Sequence, residues 1–256
     1  DFITPRSSEL DITDKQALED VVEVFGGDWI IHAAAYTDVD GCEKDVEKAR
    51  SINVTGTKNV VDAARKYGKR VCFISTDFVF DGTADSYTEE SVPHPLGVYG
   101  QTKCEGENVV RELDQFLILR IAYPYSIVPP IAKPDFVGAI RNRLQSGLGI
   151  AAPTDNFFTP TCIDDIAHAL EILLKTQAHG IYHVVGSSSL SSYDAAIQIA
   201  RKYNCDEGLV EQTTHSVYYQ NRAKRPLQLV IKNDKIASLG VHMRTFEEGL
   251  AQISQG

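Results

Sequence analysis

The run Val71-Cys72-Phe73-Ile74 ends on Ser75-Thr76-Asp77, and this junction constrains the fold more than any other stretch. An unbroken apolar run suits a strand buried on both faces, as in a parallel sheet covered by helices. The same reading applies to Asp28-Trp29-Ile30-Ile31-His32-Ala33-Ala34 and to Phe116-Leu117-Ile118-Leu119-Arg120-Ile121. Helical stretches separate these runs. One spans about Lys15 to Phe25, with Leu18, Val21, Val22 and Phe25 on one side, Asp14 as its N-cap and Gly26-Gly27 as its stop. A long helical region covers 43–67, closed by Gly68, and another helix covers Leu96 to Leu113. The pattern predicts an α/β chain. In open sheets of that kind, ligands sit beyond the carboxyl ends of the strands, where Thr76 and Asp77 fall.

Tyr99 and Lys103 follow within one loop's length, four residues apart, so a helix places them on one face. A phenol near its reference pKa of about 10 is a poor proton carrier at neutral pH. A nearby ammonium favours the phenolate and lowers that pKa. A hydroxyl at the strand end can hydrogen-bond the same oxygen. Thr76, Tyr99 and Lys103 could together move a proton to or from a carbonyl oxygen. A Tyr-x-x-x-Lys pair alone is equally a solvated helix face; the Ser-Thr-Asp strand end before it gives it weight.

In this segment the chain resembles the extended short-chain dehydrogenase/reductase family, and within it the dTDP-4-dehydrorhamnose reductases. The resemblance rests on Glu9-Leu10-Asp11-Ile12-Thr13-Asp14, Ala33 to Asp40, Asn53-Val54-Thr55-Gly56-Thr57, Ser75-Thr76-Asp77 and Pro95 to Lys103. Further along come Phe158-Thr159-Pro160-Thr161 with Asp164-Asp165, Gly180-Ile181-Tyr182-His183, and Arg225-Pro226. It implies a Rossmann-like doubly wound parallel sheet with a smaller C-terminal substrate lobe. Residues 1–128 would form the dinucleotide-binding core, and 129–256 mostly the substrate lobe, with segments returning to the core. The implied reaction is NAD(P)H-dependent reduction of the C4 keto group of a nucleotide-linked deoxysugar, dTDP-4-dehydro-L-rhamnose to dTDP-L-rhamnose.

The implied site follows residue by residue. Thr76, Tyr99 and Lys103 are catalytic; Asp11, Ile12, Ala35, Tyr36, Thr37, Asn53, Tyr99 and Lys103 bind NADPH or NADH; Val39, Thr76, Asp77, Tyr123 and Arg225 bind the sugar nucleotide. Tyr123 stands where the family has Trp. The family's glycine-rich turn, which packs the cofactor pyrophosphate on a helix N-terminus, is absent from this sequence. The expectation is therefore a sheet lacking its first βα unit, with truncation favoured over loss of cofactor binding. Two other readings stay open: an NAD-dependent nucleotide-sugar epimerase or dehydratase, and a non-catalytic, reductase-like regulatory subunit.

Composition narrows the partners. A net charge of −10 over 256 residues argues against nucleic acid or an acidic membrane. An anionic substrate would need a local basic patch, for which Lys133, Arg141, Arg143, Arg222, Lys224 and Arg225 are candidates. Five cysteines without a C-x-x-C pair indicate no disulfide framework, and no run is long and apolar enough to span a membrane. These features favour the cytoplasm, and a homodimer is possible by resemblance. No resident metal is expected. Asp164 and His168 have ligand spacing, but Asp164 and Asp165 read more simply as a helix cap, and the acidic loop 77–95 as solvated.

Overall fold

The computed structural model describes residues 3–6, 8–128 and 134–253. The expected break at Pro129 and Pro130, and Lys133, lie outside them. Helix α1 (Lys15–Val24) begins where the Asp14 carboxylate accepts a hydrogen bond from Ala17 N, and it buries Leu18 and Val22, one turn apart. Strand β1 (Trp29–His32) follows. The expected long helix over 43–67 is instead three short helices, α2 (Val39–Lys44), α3 (Val46–Arg50) and α4 (Thr57–Lys66), with a wide π-type turn over Ser51–Gly56. The break has a cause: the Asp45 side chain caps α3, and the wide turn aims Asn53 into the interior, 1% exposed.

Strand β2 (Arg70–Thr76) leads through a single tight turn, Asp77–Val79, to a loop and then to α5 (Val98–Val110). Strand β3 (Phe116–Ile121) precedes the short β4 (Pro124–Tyr125). After α6 (Phe136–Gln145) come β5 (Ile150–Pro153), β6 (Phe157–Phe158), β7 (Thr161–Cys162) and α7 (Ile163–Lys175). The chain continues with β8 (Gly180–His183), β9 (Leu190–Ser191), α8 (Ser192–Lys202) and β10 (Val210–Thr213). It ends with α9 (His215–Tyr218), α10 (Asp234–Ala237) and α11 (Phe246–Gln252).

The main sheet has the order β1-β2-β3-β8, all parallel, with β8 pairing β3 in the register Leu117 with Gly180. Among the described residues no strand pairs with the outer side of β1. Two apolar layers cover the sheet. Leu18, Val22, Val60, Ala64, Phe73 and Ile118 fill one, and Cys72, Leu119, Ala169, Leu173 and Met243 the other. This two-sided covering is why β2 and β3 read as continuous apolar runs. A third cluster, with Tyr125, Phe158, Ile199 and Phe246, belongs to the C-terminal elements.

Two expectations change. Asp164 and Asp165 lie in the first turn of α7 but neither caps it; Asp165 pairs with Arg244 at 3.2 Å and accepts from Arg244 N at 2.8 Å. The loop 77–95 is not merely solvated. Asp81 accepts from the Tyr87 hydroxyl at 2.7 Å and from Thr83 Oγ1 at 2.8 Å, and Glu89 accepts from His183 N at 2.9 Å.

Candidate active site

Parallel pairing aligns the carboxyl ends of β1, β2 and β3, so the residues that follow them share one rim. Helix α5 lies very close to that rim. A Cβ on Gly100 would fall 2.2 Å from Phe78 O, and one on Gly106 would fall 3.0 Å from the Phe73 ring and 3.1 Å from Asn53 O. Only glycine lets the first turn of α5 rest on the tight turn after β2. That contact brings Tyr99 against Thr76.

The Thr76 hydroxyl lies near the Tyr99 phenol. The same hydroxyl donates to Asp77 Oδ1 at 3.1 Å and accepts from Phe78 N at 3.2 Å. Thr76 is 6% exposed and Asp77 2%, and no partner is present for the buried Asp77 Oδ2. Burial pushes Asp77 up to about 7; hydrogen bonds from Thr76 and from the backbone of Asp77 and Phe78 oppose the shift without cancelling it.

Lys103 shares the face of α5 that carries Tyr99, but its ammonium turns elsewhere. Nζ donates to Ile74 O at 2.7 Å and sits 3.9 Å from the centre of the Phe73 ring. Burial brings Lys103 down to about 7, partly offset by Glu107. The expected lowering of the Tyr99 pKa by Lys103 is not what this fold produces. Burial raises Tyr99 to about 12, and the neighbouring Thr76 hydroxyl opposes the shift without cancelling it. Desolvation outweighs the helical proximity of an amine that faces a carbonyl instead.

Further along the face, the Glu107 carboxylate accepts from Ser75 Oγ at 2.6 Å and from Arg120 Nε and Nη2 at 2.9 and 2.8 Å. This network ties α5 to β2 and β3. His183 stands 3.4 Å from Arg120 and is brought down to about 3 by burial and by the Arg120 charge. Sequence reasoning missed Glu107, Ser75 and His183. The available signal was the i, i+4 row Tyr99, Lys103, Glu107.

The loop after β1 is held by Asn53. Its Oδ1 accepts from Tyr36 N at 2.7 Å, and its Nδ2 donates to Tyr36 O at 3.1 Å and to Thr102 Oγ1 at 3.0 Å. Ala33, Ala34 and Thr37 are exposed, and Ala35 is half-buried. This strip of small residues at the rim fits one end of a dinucleotide, since no bulky side chain keeps a ligand from the backbone. The Tyr36 backbone is already engaged by Asn53, so Tyr36 offers its ring, over which Lys48 Nζ sits at 4.8 Å. Ile12 packs against Gly56, and Asp11 accepts from Thr13 N and Oγ1, both at 2.8 Å. The residues given contain no glycine-rich phosphate-binding motif.

Near Asp77 and Tyr219 lies Tyr123. Tyr123 adopts φ +39°, and its ring packs 4.4 Å from that of Phe158. The Arg225 guanidinium covers the Tyr219 ring at 4.7 Å. It is gripped by Asp40 through two hydrogen bonds of 3.0 Å, and Ala223 N donates to Asp40 at 2.9 Å. Val39 opens the helix that carries Asp40. Two open cavities, of about 650 and 290 Å³, lie at this pair, lined by Leu96, Arg222, Ala223 and Lys224. Neither is lined by Thr76, Tyr99 or Lys103. Tyr219 and Arg225 line the smaller of the two cavities. Of the expected basic patch, Arg222 and Lys224 line both cavities, whereas Arg141 and Arg143 bond Asn142 and Gly149 O on α6 and its end.

Residues 1–256 match the family described as RmlD substrate binding domain. The chain belongs to this family. It is 34% identical to dTDP-4-dehydrorhamnose reductase of Aggregatibacter actinomycetemcomitans, over 96% of this chain and 87% of that protein. Its fold superposes with a TM-score of 0.91 on dTDP-4-dehydrorhamnose reductase of Bacillus anthracis in complex with NADP. That pair is 30% identical, over 99% of this chain and 89% of the other. A third relative, methionine adenosyltransferase 2 subunit beta of Mus musculus, is 29% identical over 97% of this chain and 76% of its own. The parallel sheet of this RmlD-type chain is thus the Rossmann-type sheet of its structural neighbours.

Proposed function

We propose that the protein is an NAD(P)H-dependent oxidoreductase that reduces the C4 keto group of a nucleotide-linked deoxysugar, converting dTDP-4-dehydro-L-rhamnose to dTDP-L-rhamnose. The observation that carries this reading is the packing of the Tyr99 ring, edge-on at 5.7 Å, against Phe78 in the tight turn that follows Thr76 at the carboxyl end of β2. Bound NADPH or NADH supplies the hydride. Tyr99 gives its proton to the developing alkoxide oxygen. A phenol raised to about 12 is fully protonated before the reaction, which suits it to the acid role in the reducing direction. Thr76 holds the phenol in place. Lys103 stays fixed by Ile74 O and the Phe73 ring, at the rim where Ala33 to Thr37 offer the cofactor an open strip. Ala35, Tyr36, Thr37, Asp11 and Ile12 complete the cofactor side, with Asn53 as the support of the Tyr36 loop.

Val39, Asp77 and Tyr123 are assigned to the sugar, and Arg225 to the diphosphate. Residues 1–128 serve as the dinucleotide-binding core and 129–256 mostly as the substrate lobe. We place the protein in the cytoplasm as a homodimer. Its five cysteines are all free, and among the described residues no helix is long and apolar enough to cross a membrane.

The test is NADPH oxidation by the full-length protein with dTDP-4-dehydro-L-rhamnose as substrate. A second reading draws on the relative named as a subunit of methionine adenosyltransferase. Co-purification with a partner enzyme, without NAD(P)H binding or turnover, would support it instead.

A further inference from the structure

We propose that His32 is a positioning residue for the reduction: through Thr57 it holds the wide turn Ser51–Gly56 in the register that sets the Asn53 amide between the cofactor loop and the backbone of Tyr99. The inference rests on the reductase reading and adds a residue outside the expected site. His32 ends β1, directly before the strip Ala33 to Thr37. It pairs with Phe73 in the parallel register, and the two rings lie 5.3 Å apart. His32 is 3% exposed, and its Nε2 lies 2.9 Å from Thr57 Oγ1.

Hydrogen counting fixes the direction of each bond. A Thr hydroxyl has one hydrogen. Thr57 gives its hydrogen to Asn53 O at 2.7 Å, so toward His32 it accepts, and the imidazole hydrogen sits on Nε2. The Asn53 side-chain amide in turn donates to Thr102 Oγ1 at 3.0 Å, and Thr102 spends its own hydrogen on Tyr99 O at 3.0 Å. The same amide brackets Tyr36 N and O at 2.7 and 3.1 Å. Hydrogen bonds of one direction thus lead from the end of β1, through the wide turn, to the first turn of α5. Burial and the nearby Lys103 charge bring His32 down to about 3, so the ring stays neutral and keeps a single hydrogen.

The wide turn needs such a lock. Widened turns are rare within helices and occur mostly at functional sites. In a regular helix Asn53 O would accept from Thr57 N. Here Thr57 N bonds Val54 O instead, and the Thr57 hydroxyl serves the Asn53 carbonyl. Shifting the turn by one residue would rotate Asn53 by about 100° and withdraw its amide from both Tyr36 and Thr102. The His32 N–H leaves the Thr57 hydroxyl one orientation, toward Asn53 O. Without that donor the hydroxyl is free to turn away, and the turn loses the bond that keeps its register. His32 touches neither reactant; it acts through Thr57 and Asn53.

Three measurements on the full-length protein test this. Nitrogen-15 NMR of the unliganded wild type should show the His32 ring with its hydrogen on Nε2; a hydrogen on Nδ1 would overturn the lock without any variant. Amide exchange at Tyr36 should become faster in His32→Phe, which has no donor. In turnover, His32→Phe should lower kcat by about 10- to 100-fold and raise the Kd for NADPH a few-fold. His32→Gln, whose side-chain amide can donate to Thr57, should recover most of the rate. Thr57→Val should act as His32→Phe does, and Thr57→Ser should recover most of that loss. A His32→Phe variant with a lower urea midpoint but unchanged kcat and unchanged Tyr36 exchange would make the histidine a core residue only and overturn the proposal. A wild type with no turnover would overturn the reductase reading, and the lock would then be judged by the His32 ring hydrogen and the Tyr36 exchange alone.

Discussion

Glu107 and Arg120 hold each other through two hydrogen bonds of 2.9 and 2.8 Å, with both side chains 1% exposed. The pair fixes how α5 lies on the sheet, and so where Tyr99 stands. Replacing one member leaves an uncompensated buried charge. Glu107→Gln should therefore cost about 3–5 kcal/mol of stability, read as a fall in the urea midpoint. The double variant Glu107→Met with Arg120→Met should lose less than the sum of the single changes, because no charge is stranded.

That pair also shows where the sequence stops being informative. Strands β2 and β3 were legible because burial on both faces leaves unbroken apolar runs, and the Tyr99–Lys103 spacing was legible because helix geometry is local. Asp14 as a cap and Gly68 as a stop were legible for the same reason; Gly68 takes φ +63°. Arg120, in contrast, looked like a lone charge in a strand, since its partner lies on another element. Asp40 and Arg225 are 185 residues apart, and no period of the chain connects them. The wide turn at Asn53 was hidden because its residues also suit a regular helix. The direction of the Lys103 ammonium depends on the free Ile74 carbonyl at the strand end, which sequence does not display.

Asn53 satisfies both the N–H and the C=O of Tyr36. Asn53→Ala should leave these groups unpaired, at a cost of about 1–3 kcal/mol. Amide hydrogen exchange at Tyr36 should become faster while exchange in β3 stays slow. Unchanged exchange at Tyr36 would show that another group holds the loop.

Lys103 has a folded pKa of about 7, below its unfolded value of 10.5. Between these values the unfolded chain binds the extra proton, so stability should rise with pH across that window, and be lost as pH falls back through about 7. Denaturant titrations of the unliganded protein should show this rise, and Lys103→Met should remove it. A rise of the same size in the variant would assign it to other groups.

The Arg225 guanidinium already has a counter-ion in Asp40. A diphosphate binding there must displace that carboxylate. Asp40→Asn should therefore lower KM for the sugar nucleotide by a few-fold, and the effect should shrink as salt screens the charge. A higher KM would show that Asp40 instead positions Arg225 for its ligand.

The account stands on the Tyr99 phenol as the group that protonates the reduced carbonyl. The most direct measurement is steady-state NADPH oxidation by the full-length Tyr99→Phe variant with dTDP-4-dehydro-L-rhamnose, after circular dichroism has shown the fold intact. A kcat about a hundred- to ten-thousand-fold below wild type is the predicted result. Turnover at the wild-type rate would contradict it.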